Sequence, residues 1–318
     1  MAGQTHLTQL VASIEEAVNA FDSSLPSVQK EILAEVETML LKLDFRGGSL
    51  RASAHNLRII SRIRGTLEAI VVDNPLYAKN VKQYLSAYGK VNRIQQNYFE
   101  SIAEGFEPSD FLRELQQTAK SGAINSLMRT GISANLIDPL HNILRQNITT
   151  GTSYSQLVNQ LREYIQGNED KVGELEKYVK TIVTDGLNQY AAQYTDFVTS
   201  DLGLNWFQYT GVRMVTSRPF CVGMVNKRFF HRSEIPKLLK GEFPEFHDAN
   251  GKLSKTTGLP SGMIEGENPA NFLVYRGGWN CHHQAIPVAE DIIPKKDRVM
   301  VYEQYGIPYD EQGFEIAA

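Results

Sequence analysis

Over roughly the first 200 residues, apolar side chains recur at helical spacing in one segment after another. Ile32, Val36 and Met39 share one helical face, and Leu157 and Leu161 share another further along the chain. Glycine and proline residues separate these segments at short intervals, which is typical of helices joined by turns. Ser24 can cap the first of these helices, Gly151 makes a turn, and Thr152 or Ser153 can cap the helix that follows it. The pattern therefore predicts a long helical region at the start of the chain.

The sequence changes character near residue 200, where glycine, proline and aromatic residues become dense. Residues 206–210 and 282–288 are typical of short strands, and RVMVYEQ at residues 298–304 is predicted to be another. Residues 256–278 have many turn residues and little periodicity, and such long loops are usually functional, held by metal or disordered. The predicted fold class is α+β, mostly α. A long N-terminal helical region precedes a small irregular α/β C-terminal domain with short strands.

Three segments follow from this change in character. Residues 1–130 form an N-terminal helical region, residues 131–200 a helical connector that includes a long helix, and residues 201–318 a compact domain containing cysteine and histidine. The length and the hydrophobic content of 42% are ordinary for a globular chain. The net charge of -4 argues against a broad electrostatic grip on DNA.

Targeting segments are not expected. No apolar stretch reaches the about 18 residues that a membrane span requires, and the N-terminus lacks the basic and apolar regions of a secretory signal. Two cysteines are too few for a secreted scaffold held by disulfides, which favours synthesis in a reducing cytoplasm.

The two cysteines, Cys221 and Cys281, are the strongest candidates for chemistry. Cys281 and His283 are separated by one residue, so an extended strand would place both side chains on the same face, where they can share a metal ion. Cys221 lies far upstream and can return to the same place. A tetrahedral site of sulfur and nitrogen ligands can be completed by His231, His247 or His282.

Other interpretations of the same residues stay open on the sequence alone. The cysteines can pair as a disulfide in an oxidising setting, or pack as small buried hydrophobic residues. A Cys281 nucleophile needs a nearby base, but on a strand the adjacent His282 points to the opposite face. In FHDANGK, residues 246–252, a histidine and an aspartate can hold a divalent ion near a phosphodiester, although Asn-Gly is ordinary turn chemistry.

Four stretches, in order, carry a resemblance to a known family: NITTGTSYSQLVNQLREYI, YVKTIVTDGLNQYAAQYTDFV, FQYTGVRMVTSRPFCVGMVNKRFFHRSEI and GGWNCHHQAIPV. Together they resemble the phage Mu F-like minor head proteins, also called head morphogenesis proteins. The resemblance runs from about Ile132 to Val288, which is roughly half the chain. No resemblance covers residues 1–130.

The resemblance implies that a separated cysteine and a closing Cys-x-Cys/His motif hold a small irregular domain together around zinc. It places three metal ligands at Cys221, Cys281 and His283, and His231 or His247 is our candidate for the fourth. The commoner family pattern has a second upstream cysteine and a His-Pro pair before the closing motif, where this chain has Gly278 and Trp279. Aromatic packing alone is the alternative, with a core of Trp279, Phe229, Phe230 and Tyr209.

The resemblance implies structural work rather than catalysis. The expected function is that of a low-copy minor capsid or head morphogenesis protein of a tailed phage or prophage, acting near the portal. The expected partners are portal and capsid or scaffold proteins, docked on amphipathic helical faces, with packaged DNA as a further contact and no membrane. The chain would be made in the bacterial cytoplasm and end in the virion, in the capsid interior or at the portal vertex.

Two other function classes remain open. A zinc-dependent nuclease or hydrolase in the C-terminal domain requires an open metal position and a polarised water. Three ligands beside Glu234, Glu245 or Asp248 would favour such an enzyme, whereas a closed shell of four protein ligands would contradict it. A metal-free binding module with a helical arm predicts no bound ion.

Overall fold

The computed structural model describes residues 2–279 and 281–316, apart from the side chains of residues 2–4 and 7. The chain is mostly helical, and its few strands are short and antiparallel. The predicted fold class, α+β and mostly α, is confirmed. Among the described residues, no helix combines the length and the apolar character needed to cross a membrane.

The α-helices are α1 (Ala2–Asp22), α2 (Leu25–Leu40), α3 (Ala54–Val72), α4 (Pro75–Ile102), α5 (Asp110–Leu127), α6 (Arg129–Ile132), α7 (Asp138–Thr150), α8 (Tyr154–Gln166), α9 (Glu174–Asp201), α10 (Pro219–Lys227), α11 (Ile235–Leu238), α12 (Pro244–Asp248), α13 (Phe272–Tyr275) and α14 (Lys295–Tyr305). A π-helical turn lies at Ser133–Ile137, and 3-10 turns lie at Arg232–Glu234 and Glu290–Ile292. The strands are β1 (Phe45–Arg46), β2 (Ser49–Leu50), β3 (Trp206–Thr210), β4 (Phe229–His231) and β5 (Gln284–Pro287).

The chain divides into two compact units, each assembled from separate segments. Unit 1 comprises Met1–Ala12, Lys90–Gln116 and Thr184–Ala318, and unit 2 comprises Ser13–Gly89 and Gln117–Val183. Helices α1, α4, α5 and α9 each contribute residues to both units. This partition differs from the boundaries at residues 130 and 200 predicted from the sequence, because long helices continue past the points where the units divide. The three-part division stays a prediction.

Unit 2 is built from the helical stripes that the sequence predicted. Helix α2 packs against α3 and α8, and α7 packs against the same two helices. Their facing apolar side chains are buried, among them Val28, Ile32, Val36, Leu67, Val71, Leu144, Leu157 and Leu161. Burial of these faces is the main source of stability for helices of this length, since helix propensity alone is marginal.

The ends of three unit 2 helices test the predicted caps. Ser153 caps α8 in a reciprocal capping box with Gln156, and Gly151 ends α7 in a left-handed conformation with a φ of 69°, as the sequence predicted. Ser24 stands at the start of α2, but its hydroxyl donates to the Phe21 carbonyl at 2.7 Å and caps nothing. The predicted side-chain cap at Ser24 is therefore wrong.

The C-terminal part of unit 1 is organised around a three-stranded antiparallel sheet in the order β4–β3–β5. Phe207 on the central strand pairs with Phe230 on one side and Pro287 on the other. The rings of Phe207 and Phe230 stack with centroids 5.4 Å apart, and Phe220 of α10 lies edge-on to Phe272 and Tyr209. An aromatic core thus covers one face of this sheet.

The strand predicted at RVMVYEQ is wrong, because these residues lie in helix α14. Arg298, Val301 and Tyr302 are the buried residues of α14, and their spacing of three and four is helical. A short apolar run fits both the two-residue period of a strand and the 3.6-residue period of a helix, so periodicity alone does not decide between strand and helix there. Tyr302 accepts a hydrogen bond from Trp206 Nε1 at 2.7 Å, which anchors α14 on β3.

His6 gives unit 1 a buried titratable group. Its ring stacks on Tyr98 with centroids 4.1 Å apart, and its Nδ1 has no hydrogen-bond partner. Burial lowers the pKa of His6 to about 4, because a charged imidazolium is poorly solvated there. The folded state therefore favours neutral His6, and this contribution is present above the unfolded pKa and is lost as the pH falls through 6.5 towards 4.

We expect His6→Gln to lessen the acid sensitivity of unit 1. Wild type should lose on the order of 3 kcal/mol more unfolding free energy between about pH 7 and pH 4 than the variant does. Urea unfolding monitored by tyrosine and tryptophan fluorescence at the two pH values measures this difference. The control is His247→Gln, since His247 is exposed. Equal pH dependence in wild type and His6→Gln would contradict the prediction.

Candidate metal centre

Three of the predicted ligands meet in the C-terminal part of unit 1. The sulfurs of Cys221 and Cys281 and a ring nitrogen of His283 all lie within 4.8 Å of one another. All three side chains are buried, with exposed fractions of 2%, 5% and 3%. The cluster can hold a metal ion, because thiolate and imidazole are ligands that bind divalent transition metals.

The distances within the cluster fit separate ligands on one ion. The two sulfurs are 3.9 Å apart, and Cys281 Sγ is 3.8 Å from His283 Nδ1. A disulfide requires about 2.05 Å between sulfurs. Two thiolates at about 2.3 Å from a tetrahedral zinc are about 3.8 Å apart. The cysteines are free thiols in the structure, and their spacing is that of a metal pair.

Two neighbouring elements deliver these ligands. Cys221 lies in the first turn of α10, which begins at Pro219, a residue suited to the start of a helix. Cys281 and His283 lie in the irregular segment just before β5, so the predicted strand geometry is wrong for them, although their side chains do meet. Pairing of Gln284 with Thr210 then fixes this segment on the sheet.

Tyr209 of β3 lies beneath the cluster. Its hydroxyl is 3.6 Å from Cys221 Sγ and 3.8 Å from Cys281 Sγ, and its ring stacks on His283 with centroids 5.7 Å apart. Burial raises the pKa of the Tyr209 phenol well above its usual value, so the phenol stays protonated and can donate to a sulfur. Tyr209 thereby orients all three candidate ligands.

Two glycines allow the chain to approach the ligands closely. A Cβ on Gly277 would overlap Cys221 Sγ and lie 3.1 Å from Cys281 Sγ. A Cβ on Gly211 would lie 2.7 Å from the His283 ring. Both positions need a residue without a side chain. The Gly pair of YRGGWNC was visible in the sequence, but only the fold shows which atoms it approaches.

The two thiols are electrostatically coupled. The hydrogen bond between the sulfurs lowers the pKa of Cys281 well below its usual value and raises that of Cys221, because the pair holds one shared proton. Burial opposes the lowering at Cys281, while His283 and the Arg276 guanidinium assist it. Metal binding requires thiolates, so one ligand is already biased towards the binding form.

Arg276 is a buried cation that the sequence did not single out. It donates to Gln284 Oε1 at 2.6 Å and to the Asn188 carbonyl at 3.4 Å, and its backbone has a φ of 55°. A buried guanidinium near the Cys281 thiol favours the charged thiolate form of that cysteine. Arg276 therefore offsets negative charge on Cys281.

Glu267 is a second titratable group that the sequence reasoning missed. Its Oε2 accepts from the Ile264 amide at 3.2 Å, and its buried Oε1 has no hydrogen-bond partner. Burial, with a smaller contribution from the neighbouring Cys281, raises the pKa of Glu267 to about 8. The surrounding SGMIEGENP has the composition of a turn, so the sequence carried no signal for a buried carboxyl.

A cavity of about 260 Å³ opens onto the cluster. Its lining consists of Met214, Thr216, Ser217, Arg218, Cys221, Cys281, His282 and His283. Arg218 forms one wall, where its guanidinium donates to the Gly277 carbonyl at 2.8 Å and to the Trp279 carbonyl at 2.7 Å. The candidate metal position is therefore buried by the protein on one side and reachable on the other.

His231 does not join the cluster, so its prediction as the fourth ligand is corrected. It ends β4 opposite Trp206, where its Nδ1 lies 2.8 Å from Ser233 Oγ and its Nε2 lies 3.4 Å from Glu315. Both ring nitrogens are thus engaged elsewhere. His247 of α12 is exposed and also lies outside the cluster.

The predicted aromatic core is correct only in part. Phe230 and Tyr209 are buried and Phe229 is half-buried, but Trp279 is 50% exposed. The Gly277–Gly278 pair takes the chain past the sulfurs and leaves Trp279 at the surface. The rings that fill the core instead are Phe207, Phe220, Phe243, Phe246 and Phe272.

Comparison of the chain with protein-family models, with curated proteins and with solved structures finds no match. The geometry of the cluster and the composition of its surroundings therefore carry the functional argument.

We expect Gly277→Ala to weaken metal binding. The added methyl would occupy the space of Cys221 Sγ, so the two sulfurs could no longer share an ion at tetrahedral spacing. Affinity should fall by roughly tenfold or more, measured by competition with a chromophoric chelator. The control is Gly65→Ala, because Gly65 lies inside α3 with open space around a new Cβ. Unchanged affinity in Gly277→Ala would contradict this account of the site.

Proposed function

We propose that the C-terminal domain is held together by a zinc ion on Cys221, Cys281 and His283, and that the protein is a minor head protein of a tailed phage or prophage. In this proposal it is a low-copy structural component that acts near the portal during head assembly. The observation that carries the zinc proposal is that Cys221 and Cys281 are buried in the aromatic core, with buried His283 stacked on Tyr209 of that core.

The donor set favours zinc. Two thiolates and one imidazole are soft and borderline ligands, and zinc accepts such sets in tetrahedral geometry without redox chemistry. Hard cations such as Mg²⁺ and Ca²⁺ prefer oxygen ligands, which the cluster does not offer. The orphaned Nε2 of buried His283 is a further polar atom that a ligand or its neighbour would satisfy.

A structural role for the ion is supported by what it would connect. It would join the first turn of α10 to the segment before β5, across a long stretch of chain with little regular structure. Between Asp248 and Phe272 the described chain has turns and isolated bridges only. An ion that binds only the folded state would stabilise such a domain directly.

The head-protein assignment is supported by the resemblance of residues 132–288. In that family the upstream cysteine and the closing motif are expected to hold one small domain, and here Cys221 and Cys281 meet in space. Several apolar side chains on the helices are exposed, as docking on portal, capsid or scaffold proteins requires: Leu57, Leu76, Phe111 and Ile124. The proposed location is the virion, in the capsid interior or at the portal vertex.

A zinc-dependent nuclease or hydrolase is the second candidate, because the cavity leaves one side of the cluster open. Three protein ligands with an open position are typical of catalytic zinc sites. However, Glu234, Glu245 and Asp248 do not line the cavity. Glu234 is instead bound to Lys227 at 2.9 Å and to the His231 amide at 2.8 Å. These three carboxylates are therefore not placed to serve as the base, and we prefer the structural role.

We expect the purified full chain to contain about one zinc ion, measured by plasma mass spectrometry. Cys281→Ser should lose the ion, and its unfolding midpoint should fall by roughly 5 to 10 °C. His247→Ala, at an exposed position, should keep both the ion and the midpoint. A wild-type chain that carries no zinc after purification, and takes none up on addition, would refute the zinc proposal.

The head-protein proposal has its own test in particles of the phage or prophage that encodes the chain. Mass spectrometry of purified virions should find the protein at a low copy number relative to the major capsid protein. A nonsense mutation early in its gene should reduce DNA-filled heads, and expression of the chain from a plasmid should restore them. Particles that lack the protein and assemble normally in the nonsense mutant would contradict a role in the head.

A further inference from the structure

The cavity above the cluster has a composition suited to an anion. Its wall includes the guanidinium of Arg218 and the hydroxyls of Thr216 and Ser217, and no aspartate or glutamate is among the residues that line it. A guanidinium has five N–H donors, and Arg218 directs two of its nitrogens at carbonyls. The guanidinium of Arg218, which lines the cavity, therefore keeps N–H donors that these two carbonyls do not use.

The N-terminus of helix α10 also makes the cavity favourable for an anion. The helix begins at Pro219 with Arg218 as its N-cap residue, and no side chain caps it. Arg218 and Cys221, on either side of this start, both line the cavity. The unsatisfied amides of a helix N-terminus carry partial positive charge and favour anions.

His283 contributes a further polar group to the site. It lines the cavity and is 3% exposed, and its buried Nε2 has no hydrogen-bond partner among the described residues. Because buried polar side-chain atoms are nearly always partnered, this nitrogen is one that the metal ion or a bound group would satisfy.

We propose that the open side of the metal centre binds the phosphate group of a ligand. This inference rests on the metal centre proposed above and names the ligand class of that same site. Two thiolates balance the charge of a divalent ion, and no carboxylate lines the cavity, so the guanidinium of Arg218 gives its wall a positive charge. One phosphate oxygen would complete the tetrahedral metal site, while Arg218, Thr216 and Ser217 would receive the other oxygens.

The number of donors favours phosphate over carboxylate. A tetrahedral phosphate keeps three oxygens free after one binds the ion, and the cavity offers a guanidinium and two hydroxyls for them. A carboxylate would keep only one. The Ser217 hydroxyl already accepts from the Met214 amide at 2.9 Å, which leaves its proton free to donate.

The test uses the full chain loaded with Co²⁺, whose visible absorption reports its ligands. Inorganic phosphate should change the cobalt spectrum and saturate, and bound Co²⁺ should broaden the phosphorus resonance of phosphate. Acetate at the same concentration should bind roughly fivefold or more weakly, since it makes fewer hydrogen bonds. Dimethyl phosphate identifies the source: binding indicates nucleic-acid backbone phosphodiesters, and binding of inorganic phosphate alone indicates a free or terminal phosphate.

Matched variants locate the anion. Thr216→Val should weaken phosphate binding by roughly fivefold through the loss of one hydrogen bond, while cobalt binding stays unchanged. Thr256→Val is the control, because Thr256 is an exposed threonine of the same unit outside the cavity. Equal weakening in both variants would place the phosphate elsewhere and overturn the inference.

The possible failures are distinguishable. If the chain binds Co²⁺ but phosphate does not change the cobalt spectrum, the phosphate site is refuted and the metal centre is not. Acetate binding as tightly as phosphate overturns the selectivity for a tetrahedral oxyanion. A chain that binds neither Co²⁺ nor Zn²⁺ removes the metal centre, and the phosphate site is refuted with it.

Discussion

The C-terminal part of the structure depends on one close approach: two cysteine sulfurs 3.9 Å apart with an imidazole beside them, buried under aromatic rings. Bare thiols at this spacing gain little from each other, since sulfur is a weak hydrogen-bond donor and acceptor. A shared metal ion changes that balance, because each ligand then forms a strong bond that only the folded chain can offer. A shared ion would account for the two glycines, the tyrosine and the two arginines around this point.

The residues around the cluster together hold its three ligands in position. Tyr209 lies below the ligands on the central strand, Arg276 brings a buried positive charge, and Gly277 allows the chain to pass the sulfurs. Arg218 closes the arrangement from the outer side by holding the same glycine-rich turn through its carbonyl groups. These contacts would fix the ligands before the ion arrives, which lowers the ordering cost of binding. The same arrangement leaves a positively charged opening, which is the basis for a phosphate ligand.

Local sequence signals predicted the helices well and the site only in part. Apolar spacing and the Ser153 cap depend on neighbours within a few residues, so α2, α7 and α8 were predictable. The short run RVMVYEQ fits the period of a strand as well as that of a helix, and burial of Val301 and Tyr302 on one face makes it a helix. Composition and spacing identified Cys281 and His283 as candidate ligands. They also suggested His231, whose ring contacts Glu315, a residue 84 positions away in the sequence. Long-range pairing of this kind leaves no local pattern.

The central claim is that Cys221, Cys281 and His283 hold one zinc ion. X-ray absorption at the zinc edge of the purified full chain tests it most directly, because the spectrum counts sulfur and nitrogen neighbours without requiring a crystal. The account predicts two sulfur ligands at about 2.3 Å and one imidazole nitrogen at about 2.0 Å, with a single further nitrogen or oxygen ligand. A shell of six oxygen and nitrogen ligands with no sulfur would contradict it, because the ion would then lie outside the cysteine cluster.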